Sequence, residues 1–113
     1  MVKKEYVPDR GDIVWMNFSP HRGHEQGGHR PALVLTPDFY NEKSNLALML
    51  PITSKQKGWY PFQVKLTGTT TKGYIIGDQV KSVDWRDRTI EYIEKVPTDV
   101  LLEATEFVRM LVE

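Results

Sequence analysis

The sequence contains no cysteine among its 113 residues, and charges of the two signs are equal in number. The lack of cysteine excludes a disulfide framework and any metal site that needs thiolate ligands. The fifteen basic and fifteen acidic residues give a formal net charge of zero, whereas nucleic-acid binders usually carry a basic excess. A site for a polyanion therefore has to come from local clustering of cations, because the net charge provides no long-range attraction.

Long apolar runs are absent as well. No segment approaches the ~20 consecutive apolar residues that a membrane-spanning helix needs. The N-terminal segment MVKKEYVPDRG includes two lysines but lacks the apolar core of a secretory signal. These features predict a cytoplasmic protein without a membrane partner.

Short apolar segments separated by glycine, proline and asparagine make up most of the chain, which is typical of a small all-β sandwich or barrel. The length is that of one domain, so we expect residues 1–113 to form a single domain. Pro51 is expected at a sheet edge or at the end of its strand, because proline cannot donate to a strand ladder. The predicted strands are Gly11–Phe18, with both faces partly covered, Ala32–Thr36, Leu46–Ile52, Phe62–Leu66, Tyr74–Val80 and Ile90–Val96.

The apolar period changes to that of a helix at the end of the chain. Thr98 is predicted as the N-cap of this helix, and Asp99 suits the positive end of its dipole. A shorter helical turn is predicted over Asp38–Asn41. The predicted fold class is therefore mainly β (α+β), with five or six strands curled into a small barrel and one C-terminal helix packed outside. The apolar residues at helical spacing are Val100, Leu101, Ala104, Phe107, Val108, Leu111 and Val112.

A polar stretch, SPHRGHEQGGHRP at Ser19–Pro31, separates two apolar strands and contains all three histidines. Zinc binding by His21, His24 and His29 is disfavoured, because glycine-rich spacing gives the ligands no rigid frame. The stretch also lacks the G-x-x-x-x-G-K pattern of a phosphate loop. We predict no metal and no cofactor. The alternative to a functional role is a solvated connection between strands.

Arg30 is the most informative residue of this stretch. It directly precedes Pro31, which favours an extended backbone, and it lies at the start of a strand that is predicted to be buried. An arginine in this position needs a partner or an anion. It either binds a phosphate through its planar guanidinium or forms a salt bridge to Glu25 or Asp78.

A second stretch, PITSKQKGWYP at Pro51–Pro61, combines hydroxyls, lysines and two adjacent aromatics. Bases stack on aromatic rings while lysines contact phosphates, so this segment is a possible platform for single-stranded RNA. Alternatively, Trp59 and Tyr60 cap the barrel. The other tryptophans, Trp15 and Trp85, are assigned to the core or to a subunit interface.

A third stretch, GDQVKSVDWRDR at Gly77–Arg88, brings further polar groups. Asp78 and Gln79 are expected to hydrogen-bond bases or to orient Arg30. Lys81, Arg86 and Arg88 add positive charge. The alternative is a solvated turn, partly neutralised by its own aspartates.

Three blocks of the sequence together resemble the MazF/PemK toxins. They are the opening G-D-I-V-W, the block R-P-A-L-V-L that follows E-Q-G-G-H, and the segment D-Q-V-K-S. Each alone is weak, but their order in a chain of this length is specific, and the resemblance extends from about Tyr6 to Trp85. It implies a small SH3-like β-barrel and a homodimer that cleaves single-stranded mRNA at short motifs without a metal or the ribosome. It also implies a MazE-like antitoxin whose disordered acidic tail covers the RNA groove.

The resemblance also implies site residues. The family's arginine, hydroxyl and glutamate fall on Arg30, Thr53 and Glu25, the implied catalytic residues. The loop around Trp59 varies across the family and helps to set the cleaved motif. The expected RNA-binding residues are His29, Ser54, Lys55, Lys57, Trp59, Tyr60, Asp78, Gln79 and Lys81.

RNA cleavage of this kind starts when a 2′-hydroxyl attacks the adjacent phosphate, leaving a 2′,3′-cyclic phosphate and a 5′-hydroxyl. Arg30 can stabilise the developing charge, and Thr53 can hydrogen-bond the same oxygens. Arginine stays protonated well above neutral pH, so Glu25 or His29 is the better base. Three alternatives remain open: a gyrase-poisoning toxin of the same fold, an SH3-like adaptor for proline-rich peptides, and a non-catalytic RNA-binding module.

Overall fold

The computed structural model describes residues 5–17 and 29–113. Within these residues, no helix has the length and apolar character needed to cross a membrane. The predicted class, mainly β with a C-terminal helix, is confirmed. The elements are β1 (Asp12–Asn17), β2 (His29–Val34), α1 (Asp38–Ser44), β3 (Leu46–Thr53), β4 (Gln63–Lys65), β5 (Tyr74–Ile76), β6 (Lys81–Asp84), β7 (Glu91–Lys95) and α2 (Thr98–Val112).

The strands pair antiparallel in the order β4-β5-β3-β2-β1-β7, and β6 pairs with β3 beside this path. Along one of its edges, the central strand β3 pairs with two different strands. Its residues 46–49 pair with β6, and Ile52 and Thr53 pair with β5. Among the described residues, the two end strands β4 and β7 do not pair, so the sheet stays open between them.

Pro51 lies inside this central strand, opposite Ala32 of β2. On the other side of β3, the pairing with β6 ends at Met49 and the pairing with β5 begins at Ile52. Pro51, which has no N–H to donate, therefore lies at the position where β3 pairs with neither β6 nor β5. The expectation that Pro51 marks a sheet edge or a strand end is wrong. The gap between the two partner strands requires no N–H from β3, so proline is accepted there as it would be at an edge.

Both faces of the sheet are covered by apolar side chains, as predicted for β1. Ile13 belongs to a cluster that includes Val100 and Ala104 of α2. Its neighbour Val14 belongs to a second cluster on the opposite face, which contains Trp85. Neighbouring residues of a strand point to opposite faces, so a strand buried on both sides reads as a continuous apolar run.

The structure corrects three local predictions. Pro97, with an extended backbone, occupies the N-cap position of α2 without a side-chain capping hydrogen bond, and Thr98 is the first helical residue. β5 ends at Ile76 because a turn follows, in which Gln79 N–H donates to the Ile76 carbonyl. Part of the polar stretch Gly77–Arg88, for which no strand was predicted, forms β6; Val83 is the only buried residue of this strand, so no apolar pattern indicated it.

Candidate active site

A groove of about 580 Å³ opens where β1, β2 and β3 meet the connection between β4 and β5. The pairing Ala32↔Pro51, continued by two residues in an antiparallel register, brings Arg30 level with Thr53. Two of the three residues expected to be catalytic therefore line one wall. The strand residues of the groove are Trp15, His29, Arg30, Pro31, Ile52 and Thr53, and the loop residues are Ser54, Lys55, Thr71 and Lys72.

Arg30 is fixed by its strand. It is half-buried, pairs with Met16 of β1, and is held extended by Pro31 as the sequence predicted. A half-buried guanidinium with a planar fork is suited to bind two phosphate oxygens at once. Because Arg30 lies in the β-ladder and not in a loop, its position is set by the backbone of the sheet.

Thr53 ends β3 and faces the same groove. Its hydroxyl oxygen accepts a hydrogen bond of 3.4 Å from the Lys55 N–H, which turns the chain sharply after the strand. A hydroxyl that accepts from the backbone keeps its own hydrogen to donate. Thr53 can therefore donate to a phosphate oxygen in the groove, which Lys55 also lines.

Gly73, which precedes β5, packs closely against the backbone of Thr53 and so helps to fix its position. The sequence did not indicate this role. The φ of Gly73 is +134°, and a Cβ built on it would lie well inside 3.0 Å of the Thr53 carbonyl oxygen and 3.3 Å from the Ser54 Cα. Only glycine allows this approach of two backbones. The signal available in the sequence was the turn dipeptide Lys72-Gly73, which gives no hint of its neighbour.

The mouth of the groove carries two rings. The centroid of the His29 ring lies 4.9 Å from that of Trp15, with 47° between the planes. Trp15 is 37% exposed, so it does not belong to the core, and the alternative assignment to a subunit interface stays a prediction. Its ring lines the groove beside His29 and does not pack into either apolar cluster of the described residues.

The loop after Thr53 is organised by Gln63 of β4. Its side chain accepts from the Lys57 N–H and donates to the carbonyls of Gly58 and Tyr60. The Lys57 Nζ lies 4.9 Å from the centre of the Tyr60 ring. Trp59 is 90% exposed, so it does not cap the sheet and leaves its ring open to a base.

The Tyr60 hydroxyl donates to Asp78 Oδ2. Burial, followed by this hydrogen bond, raises the pKa of Tyr60 to about 12. Asp78 Oδ1 is buried and has no hydrogen-bond partner among the described residues. Asp78, Gln79 and Lys81 line a separate recess of about 250 Å³ and are not among the residues that line the groove with Arg30.

The predicted residue Glu25, together with His21 and His24, lies outside the described residues. Within 5–17 and 29–113, no group of three His, Asp or Glu side chains is placed to hold a metal ion. Of the other predicted residues, the groove unites His29, Arg30, Thr53, Ser54 and Lys55. It adds Trp15, Thr71 and Lys72, which were not predicted.

The sequence matches a family of PemK-like, MazF-like toxins of type II toxin–antitoxin systems over residues 9–112. The chain belongs to this family. The endoribonuclease toxin MazF of Escherichia coli (strain K12) is 52% identical over 83 residues, which cover 74% of each chain.

Two solved structures are similar in fold. The crystal structure of MazF (Form-I) from Deinococcus radiodurans has a TM-score of 0.90 and 46% identity, and covers 96% of this chain and 98% of its own. The MazE-MazF crystal structure (Form-II) from the same organism has a TM-score of 0.82 and 40% identity, and covers 96% and 97%. The resemblance inferred from the sequence is therefore confirmed.

Proposed function

We propose that this toxin is a metal-independent and ribosome-independent endoribonuclease that cleaves single-stranded mRNA at a short motif. One observation carries the proposal. The groove that unites Arg30 and Thr53 is also lined by Lys55 and Lys72, and no carboxylate lines it among the described residues. Such a groove attracts a phosphate chain, and its half-buried arginine is suited to stabilise charge on one phosphate. The relative from E. coli is itself described as an endoribonuclease toxin.

The proposed reaction uses the RNA's own nucleophile. A base takes the proton of the 2′-hydroxyl, the 2′-oxygen attacks the phosphorus, and the bond to the 5′-oxygen breaks as that oxygen receives a proton. The products are a 2′,3′-cyclic phosphate and a 5′-hydroxyl. Arg30 holds the non-bridging oxygens as their charge grows, and Thr53 donates to the same group. His29 and Glu25 are the proposed bases, and His29 stands at the mouth of the groove.

The remaining proposed contacts hold the strand. Ser54, Lys55 and Lys57 follow Thr53, and Trp59 offers an exposed ring on which a base can stack. Tyr60, Asp78, Gln79 and Lys81 extend this surface beyond the groove. Homodimer formation, a MazE-like antitoxin with a disordered acidic tail, a single domain over residues 1–113 and a cytoplasmic location are parts of the same proposal. An acidic tail would compete with RNA for the groove cations.

The test is cleavage of a long single-stranded RNA in EDTA, with the ends mapped by primer extension. Wild type should cut at one recurring motif, and Arg30→Ala should cut at least ~100-fold more slowly while remaining folded, because the main electrostatic stabilisation is lost.

Arg109→Ala is the matched control. It removes the same side chain from an exposed site on α2, where Arg109 contacts Glu106, and should cut like wild type. Intact RNA with folded wild-type protein, or rapid cutting by Arg30→Ala, would contradict the proposed function.

A further inference from the structure

The open side of the sheet is bridged by a side chain. The strand path ends at β4 on one side and β7 on the other, and these strands do not pair within the described residues. The connection from β4 to β5, residues 66–73, passes close to β7 and the segment that follows it. A Cβ added to Gly68 in this connection would lie 3.3 Å from the Pro97 ring. The bridging side chain is that of Glu94 on β7.

Both carboxylate oxygens of Glu94 accept hydrogen bonds from this connection. Oε1 accepts from the Thr70 N–H at 3.0 Å, and Oε2 accepts from the Thr71 N–H and the Thr71 hydroxyl, both at 2.6 Å. An ionised carboxylate has acceptors only and suits three donors, whereas an amide would turn its own N–H₂ toward one of them. We call this group of Glu94, Thr70 and Thr71 the carboxylate latch.

The strand that carries the latch is itself firmly held. β7 pairs with β1, and Lys95 forms an ion pair of 2.6 Å with the buried Asp12. Neighbouring residues of a strand point to opposite faces, so Lys95 anchors one side of β7 while Glu94 reaches out from the other. The latch therefore ties the loop to a fixed strand at the far end of the sheet.

The loop held by the latch forms one wall of the groove. Thr71 and Lys72 line the groove with Arg30 and Thr53, and Lys72 Nζ lies 3.4 Å from the Thr69 carbonyl. Lys72 follows the latched Thr71 and precedes Gly73, which abuts Thr53. The backbone of Lys72 is thus fixed on both sides. Because the loop is already ordered, less conformational entropy of the backbone is lost when the Lys72 side chain binds a ligand.

We propose that Glu94 is a positioning residue which holds Lys72 on the groove wall, where Lys72 contacts a phosphate of the RNA strand. The inference rests on the proposed function and names a contact that cleavage at Arg30 does not itself require. Lys72 binds a phosphate away from the reacting one, so it contributes to substrate binding and not to the chemical step. Loss of the latch should therefore raise KM and leave kcat unchanged.

The experiment measures KM, kcat and the salt dependence of binding to a labelled single-stranded RNA. Lys72→Ala, Glu94→Gln and Thr71→Val should each raise KM about fivefold, the upper value for an exposed ion pair, with kcat unchanged within about twofold. In Lys72→Ala, the slope of log binding constant against log salt should become shallower by about 0.7, the change expected for one phosphate contact on a single strand.

Two further comparisons separate positioning from a loss of stability. The double variant Glu94→Gln/Lys72→Ala should be no weaker than Lys72→Ala alone, because both changes remove one contact. Thr71→Ser keeps the hydroxyl donor and should recover most of what Thr71→Val loses. Glu91→Gln is the matched control, since it removes the same charge from an exposed residue of β7 and should not raise KM.

The outcomes for the latch and for the proposed function are distinct. If wild type cleaves RNA and the Lys72, Glu94 and Thr71 variants keep KM within twofold, the latch inference is overturned and the proposed function stands. Additive effects in the double variant, or a fall in kcat alone, would also overturn it. If wild type does not cleave, the proposed function fails, and the same comparisons of RNA dissociation constants still decide whether the latch positions Lys72.

Discussion

Replacing Gly73 with alanine should separate the fold of this toxin from its activity. Gly73 has φ +134°, and an added Cβ would lie 3.1 Å from the Thr53 carbonyl carbon and closer still to its oxygen. Neither neighbour is the end of a flexible side chain that can move aside, because both are backbone atoms of the groove wall. The methyl group can only be accommodated if β5 and the end of β3 move apart.

The size of the effect follows from that movement. The strands would have to separate by about 1 Å before the methyl group reached the ~3.5 Å of an ordinary nonbonded contact. The strained backbone should cost about 2 kcal/mol in the free energy of unfolding, which a domain with the usual 5–15 kcal/mol survives. A displacement of ~1 Å at a reacting group typically costs about 100-fold in rate, so kcat/KM should fall by about that factor.

The assay combines RNA cleavage with urea unfolding of the same preparations. Gly68→Ala is the control, because Gly68 has φ +72° in the same connection and its added Cβ would meet only the Pro97 ring. We expect Gly68→Ala to lose stability and keep most of its cleavage activity. A folded Gly73→Ala protein that cuts within about threefold of wild type would refute the reasoning that this close approach places Thr53.

Two further predictions concern stability. Asn41→Ala should cost on the order of 4 kcal/mol in urea unfolding, since the buried amide bonds the Pro8 carbonyl and both the carbonyl and the hydroxyl of Thr36; a loss under about 1 kcal/mol would contradict it. For Glu94, burial alone would raise the pKa, but the hydrogen bonds from Thr71 and Thr70 and the charge of Lys72 lower it below 4.5. Glu94→Gln should thus be less stable than wild type above about pH 4.5, and the gap should close as pH falls through the lowered pKa; a gap independent of pH would argue against an ionised latch.

The fold class was predictable because burial leaves a period in the sequence. The continuous apolar run of β1 indicated coverage on both faces, and the helical spacing in α2 indicated one buried side. Short strands with a single buried residue leave no such period, which is why β6 was missed around Val83. The core assignment of Trp15 failed because residue type predicts burial only on average, and the ring of Trp15 lines the groove instead of packing into the core.

The groove was only partly predictable for a related reason. Arg30 and Thr53 could be named because they lie in local blocks that resemble a family. Lys72 and Glu94 could not be named in this way, because their proposed roles depend on a contact between the two ends of the strand path. The contacting residues, Thr71 and Glu94, are 23 residues apart in the sequence. No local pattern of composition or spacing encodes which loop reaches which strand across an open sheet.

The zero net charge illustrates the difference between composition and structure. Arg30, Lys55 and Lys72 line the groove, where no carboxylate lies among the described residues. A separate cleft of about 590 Å³ is lined by Glu5, Asp38 and Glu42 and, among the described residues, by no basic one. An RNA strand in the groove would contact Arg30, Lys55 and Lys72 directly, whereas the carboxylate of Glu94 does not line the groove and is hydrogen-bonded to Thr70 and Thr71. Because charges are screened over about 8 Å at physiological ionic strength, the local cations matter more than the sum over the chain. A neutral total therefore does not argue against a polyanion as substrate.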